Sequence, residues 1–191
     1  MSKPRYTRSE EPRNPPGGWS EKVFFLSYTD NGSLEDVSME KVITHDQLRF
    51  KLNEIANDNE AIKSIAMYKI PLSGWLLGGL YWYRHIVILE TSKWWWSIEK
   101  NSEGLTVQRS ENKYEVLRKY RNKQRFTNYR NADKLLIEDK GHTERTVSEL
   151  IGWLYFNRTL KENESTTNDT QFCQNLFNRF AEKKSYGTNW F

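Results

Sequence analysis

From residue 22 onward the chain switches between two hydrophobic periods, two residues and about 3.6 residues, and the switches lay out its elements. Lys22 to Tyr28 (KVFFLSY) is apolar and aromatic, which predicts a strand. Asp30-Asn31-Gly32 reads as the turn after it, with a return strand over Val37 to Val42. Thr44-His45-Asp46-Gln47 has capping-box spacing, because Thr44 can accept from the Gln47 amide while Gln47 reaches back. Leu48, Leu52 and Ile55 then share one face of a helix reaching to about Ala56.

From Ala61 the period shortens. Ile62, Ile65, Met67 and Ile70 predict a strand ending at Pro71, and Gly74, Gly78 and Gly79 mark a link. Tyr81 to Glu90 (YWYRHIVILE) is β-branched and aromatic, the composition of a central strand. Lys93 to Lys100 (KWWWSIEK) sets Trp94, Trp96 and Ile98 against Trp95, Ser97 and Glu99, and Asn101 to Gly104 turns it back into Leu105 to Arg109. Further strands are expected near Tyr114–Tyr120 and Leu135–Glu138. Two helices close the chain. Thr146-Val147-Ser148-Glu149 is a second capping box, ahead of a stripe of Val147, Leu150, Ile151 and Leu154. The last helix carries Phe172, Leu176, Phe177 and Phe180 on one face, with Thr167 or Asn168 as its cap.

The expected fold class is therefore α+β, an antiparallel sheet meander packed with helices. Residues 1–21 hold Pro4, Pro12, Pro15, Pro16, Gly17 and Gly18 among scattered charges, too little apolar surface to offset ordering, so a disordered tail or docking arm is expected. Residues 22–60 read as a strand hairpin with a helix, and 61–191 as the main α+β domain. A length of 191 residues suits one core, and an aromatic content of 14% with eight Trp can fill it despite 28% charged residues.

A net charge of +4 permits an acidic partner without requiring one. The single cysteine, Cys173, rules out an intramolecular disulfide. No apolar core of a signal peptide precedes Lys22, and the longest apolar run falls short of a membrane span, so an intracellular, cytoplasmic chain is expected. No paired His or Cys spacing marks a metal site and no phosphate-binding glycine loop is present, so neither metal nor cofactor is expected. His45 and His142 fall at a helix cap and a turn, where surface roles are expected. That leaves His85, inside the strongest strand.

A histidine in a central strand, a meander, and then a helix with a motif at its N-terminus resembles the layout of circularly permuted papain-like proteins. The nearest group is the lecithin:retinol acyltransferase-like proteins, related to the NlpC/P60 peptidases. Tyr83-Arg84-His85-Ile86-Val87-Ile88 looks like the histidine strand, and Asn168-Asp169-Thr170-Gln171-Phe172 like the family's Asn-Cys-x-x-Phe helix motif. The likeness covers roughly residues 61–185. It implies a papain-like fold with His85 as base and position 169 as nucleophile, yet that position holds Asp169. A carboxylate there is stabilised by the helix dipole and is a poor nucleophile for acyl transfer. The polar residue that orients the histidine ring in the family falls here near Ser97, with Glu99 beside it. Cys173 lies one helical turn beyond Asp169 and could be presented to His85 in a shifted register, or could be a buried core thiol.

Two further features point to partners. In Trp94-Trp95-Trp96, Trp95 must face away from its neighbours, so it is either covered by a helix or offered to a partner. Residues 113–134 combine Lys113, Arg118, Lys119, Arg121, Lys123, Arg125, Arg130 and Lys134 with Tyr114, Tyr120, Phe126 and Tyr129, a mixture suited to phosphate contact with base stacking or to a solvated face. Three functions follow as expectations. The first is a papain-like module without its nucleophile, binding a protein partner in a larger assembly. The second is a cysteine hydrolase or acyltransferase using Cys173 and His85. The third is an RNA-associated basic protein.

Overall fold

A computed structural model describes residues 22–28, 41–44, 47, 48, 50, 52, 54, 60–71, 83–101, 103–121, 123–125, 136–156 and 169–182. The tail of residues 1–21, the Asp30-Asn31-Gly32 turn, the glycine link, His45, Tyr129, Arg130 and the cap candidates Thr167 and Asn168 lie outside them.

The strands are β1 (Lys22–Tyr28), β2 (Lys41–Thr44), β3 (Ile62–Pro71), β4 (Tyr83–Thr91), β5 (Trp95–Asn101), β6 (Gly104–Ser110), β7 (Lys119–Tyr120), β8 (Lys123–Gln124) and β9 (Leu136–His142). The helices named here are α1 (Lys113–Arg118), α2 (Val147–Phe156) and α3 (Asp169–Phe180). Helical positions also occur at 47, 48, 50, 52 and 54, with Leu48 and Leu52 buried.

Seven strands form one sheet in the order β2-β1-β6-β5-β4-β3-β9. The run β3-β4-β5-β6 is an antiparallel meander, with hairpin-length connections between β4 and β5 and between β5 and β6. Only β1 with β6 is parallel among the described pairs (Val23 opposite Leu105), so the segment 22–60 contributes an inner strand to the same sheet. The fold is thus α+β with a mostly antiparallel sheet.

Alternation divides the sheet's side chains between two cores. One face carries Val23, Phe25, Ile65, Met67, Val87, Leu89, Trp96, Ile98, Leu105 and Val107 beneath α2 and α3. The other carries Ala66, Tyr68, Ile70, Ile86 and Ile88, capped by Val116 and Leu117 of α1. Between β4 and β5 the buried Glu60 carboxylate gathers the Thr91 hydroxyl and the backbone N–H groups of Lys93 and Trp94, the latter two at 3.2 Å. At the start of α2 both capping-box bonds are present: Thr146 N donates to Glu149 Oε2 at 2.8 Å, and Glu149 N to Thr146 Oγ1 at 3.2 Å.

One expected element changes type. Tyr114–Tyr120 is not a strand: Lys113–Arg118 is helical, and only Lys119–Tyr120 pairs, with β8. Asn112 supplies the reason, since its side chain accepts from Tyr114 N at 3.0 Å and caps the helix. Adjacent Val116 and Leu117 are both buried, a pattern that a two-faced strand does not give here. Among the described residues no helix is long and apolar enough to cross a membrane.

Candidate functional site

His85 lies near the start of β4, on the same face as Val87 and Leu89, and α3 packs over this part of the sheet against β3, β4 and β5. The imidazole, 6% exposed, meets the opening turn of that helix, with Nδ1 at 2.9 Å from Thr170 Oγ1. Its other nitrogen, Nε2, is 3.0 Å from Glu138 Oε2 on β9. Nε2 makes no directed hydrogen bond in this arrangement, and Glu138 acts on the ring mainly through its charge. Lys69 of β3 pairs with the same carboxylate. A hydroxyl, an imidazole and a carboxylate thus stand in series across three elements.

Further charges close in. Val87 opposes Ile98 on β5, and by strand alternation Lys100, 4% exposed, lies on the same face of the sheet as His85. Burial lowers the Lys100 ammonium below its usual range, with Asp169 pulling the other way. Burial also lowers the His85 imidazolium, and Lys69 adds to this, while Glu138 and Asp169 oppose it. The ring is therefore neutral at pH 7. A carboxylate facing Nε2 selects the tautomer with its hydrogen there, leaving the Nδ1 lone pair for the Thr170 hydroxyl.

Asp169 opens α3, where the helix dipole favours a negative charge. Burial nonetheless raises its carboxyl above the usual range, and Glu99 adds to the rise, against Arg84, Lys100 and His85. A carboxyl raised on folding binds its proton more tightly in the folded chain. Its contribution is then most favourable below the unfolded value and declines as pH rises through the folded one. Asp169→Asn should accordingly raise the melting temperature at pH 7, with the gain vanishing in acid. Thermal melts across pH check this; a lowered melting temperature at pH 7 would mean that the helix dipole outweighs burial.

Cys173 lies one turn deeper in α3, within the main core and fully buried. Burial, followed by Glu99, Asp169 and Glu138, pushes its thiol well above the usual range, the opposite of what activates a thiolate. Ser97 and Glu99 do not orient the imidazole. Ser97 opposes Ile88 on the other face of the sheet and accepts from Gln108 Nε2 at 2.9 Å, while Glu99 is engaged there by Arg125. Strand alternation excludes both from the His85 side. The carboxylate that stands by the ring, Glu138, comes from β9, the strand expected near Leu135–Glu138.

Three cations of the basic segment are paired within the chain. Lys119 pairs with Glu115 at 2.7 Å, Arg121 with Glu103, and Arg125 with Glu99. Arg121 also stacks on Phe24, 3.7 Å from its ring centroid. Arg118 and Lys123 are exposed, Arg118 lying 5.2 Å from the Tyr114 ring. Trp95 is half-buried against the α1 core, with Lys113 Nζ 4.8 Å from its ring. Among the described residues no group of three or more His, Cys, Asp and Glu side chains is arranged to hold a metal ion.

No family model, no curated protein and no solved structure matches this chain. Its functional reading rests on the residues themselves and their placement.

Proposed function

We propose that the chain is a binding module on a permuted papain-like plan, docking into a larger assembly and making no use of a catalytic cysteine. One juxtaposition carries the reading: the opening turn of the last helix meets the sheet histidine but offers it Thr170 and Asp169, while the thiol is sealed a turn below. Papain-type chemistry needs a thiolate that is exposed to substrate and stabilised by an adjacent imidazolium. Here the ring is neutral and the sulfur lies in an apolar core, where burial and the charges of Glu99, Asp169 and Glu138 keep the thiol protonated. The alternative, a cysteine hydrolase or acyltransferase using Cys173 and His85, requires the first turn of α3 to leave the sheet.

Iodoacetamide separates the two. The native chain should remain unmodified at Cys173 and react in denaturant as an ordinary thiol does. Native alkylation faster than that of the unfolded chain would overturn the binding reading in favour of cysteine catalysis. The RNA reading has less support, because the cations that suggested it include three held by carboxylates of the same chain.

A further inference from the structure

The binding reading uses the Thr170–His85 contact only because no thiol meets the ring there, yet the order Thr170–His85–Glu138 is that of a nucleophile, its base and the charge behind the base. We propose that Thr170 is an acyl acceptor, its hydroxyl taking the acyl group of an activated ester or thioester with His85 as general base. This goes beyond the binding reading and does not depend on it, since a docking module can also be acylated.

The geometry supplies each part of the step. Thr170 Oγ1 is 2.9 Å from Nδ1, within direct proton-transfer reach. As the hydroxyl oxygen bonds to the acyl carbon, its proton passes to Nδ1, and the Glu138 charge stabilises the imidazolium that forms. The carbonyl oxygen becomes negative beside the first turn of α3, whose N–H groups have no partners within the helix, with the Lys100 ammonium nearby. The adduct then collapses: the bond from the acyl carbon to the leaving oxygen or sulfur breaks, and the leaving group departs with the electron pair and takes the proton from Nδ1. The products are O-acyl-Thr170 and a free alcohol or thiol. Nothing is oxidised or reduced.

The same surroundings restrict the donor. A secondary hydroxyl is a weak nucleophile, the Nε2–Glu138 approach is not an aligned hydrogen bond, and Asp169 places a carboxyl beside the developing oxyanion. Such a site lacks the driving force to expel an amine. The donor class is therefore an acyl group on a good leaving group, an aryl ester or a thioester, and not a peptide bond. The charged groups that act on His85 are Glu138 on β9, Lys69 on β3 and Asp169 on α3. Burial is the largest influence.

The test treats the full chain with p-nitrophenyl acetate, following nitrophenolate release and mapping the adduct by mass spectrometry. One acetyl group per chain should appear on Thr170, at a rate that rises with pH through a single ionisation below the ordinary histidine value. Thr170→Val and His85→Gln should each slow acetylation of the site by roughly 100-fold, the scale of general-base assistance. Thr170→Ser should keep it, and p-nitroacetanilide should leave the chain unmodified. Acetylation confined to Lys69 or Lys100, or a rate unchanged in a Thr170→Val chain that melts like the parent, overturns the proposal. So does a folded Thr170→Ser chain that takes up no acetyl group.

Discussion

Arg125→Ala is expected to destabilise the fold by about 3–5 kcal/mol, the cost of stranding a buried charge. The guanidinium holds the Glu99 carboxylate with both arms, Nη1 at 2.9 Å from Oε2 and Nη2 against Oε1. The two side chains are 4% and 0% exposed. Glu99 belongs to β5, the central strand of the sheet, and its carboxylate lies buried beneath the Arg125 guanidinium. Urea unfolding of the parent and the variant measures the difference. Glu99→Leu combined with Arg125→Leu should recover most of the loss, because a hydrophobic pair removes the stranded charge along with its partner. A single-variant cost under about 1 kcal/mol would show that water reaches Glu99, which counts against a sealed β5.

That pair changes what the basic segment means. Read along the chain, Arg118 to Arg125 resembles a surface for an anion. In three dimensions, Lys119, Arg121 and Arg125 each meet a carboxylate from Glu115, Glu103 and Glu99 respectively. Gln108 adds to the arrangement, since it accepts from the Tyr28 hydroxyl at 3.1 Å and from Arg121 N at 2.9 Å and donates to Lys119 O. The segment thus secures β7 and β8 to the sheet. Loss of RNA affinity on neutralising Arg121 or Arg125 would report unfolding as readily as lost contact, so Arg118 and Lys123 are the informative substitutions for that reading.

The strands of the meander were legible because each writes an alternating or continuous apolar run. His85 and Trp96 needed only their neighbours to be placed on a face. The capping box at Thr146 was legible because four consecutive residues contain both partners of both bonds. The approach of the histidine strand to the last helix was anticipated, but through the position of Asp169, whereas Thr170 makes the direct contact. A one-residue change of rotation on a helix lies below what spacing can resolve. Ser97 failed as the orienting group because its parity on β5 opposes that of His85 on β4, a fact fixed by register and not by distance along the chain. Glu138 and Glu60 were not legible at all. Their partners are 53 residues earlier for the first and some 30 residues later for the second, and no local pattern distinguishes a carboxylate that will be recruited across a sheet from one that stays in water.

Gly104→Ala should destabilise the chain by about 3 kcal/mol or more, combining backbone strain with a steric clash. Gly104 closes the β5–β6 hairpin opposite Asn101 at φ +139°, a conformation that L side chains rarely adopt. An added Cβ would also run into the Lys22 carbonyl oxygen and come within 3.1 Å of the Phe24 ring. Lys22 and Phe24 belong to β1, whose parallel pairing with β6 begins at Val23 opposite Leu105, so the clash cannot relax without separating these strands. β1 carries Val23 and Phe25 into the main core, and the loss should reach well beyond the turn. Gly152, inside α2 with open space around it, provides the control: Gly152→Ala should stabilise the helix by about 0.5–1 kcal/mol. Chemical unfolding of both variants measures the contrast. Equal effects at the two glycines would refute the close approach of β1 to the hairpin, and with it the parallel strand pair that joins residues 22–28 to the rest of the sheet.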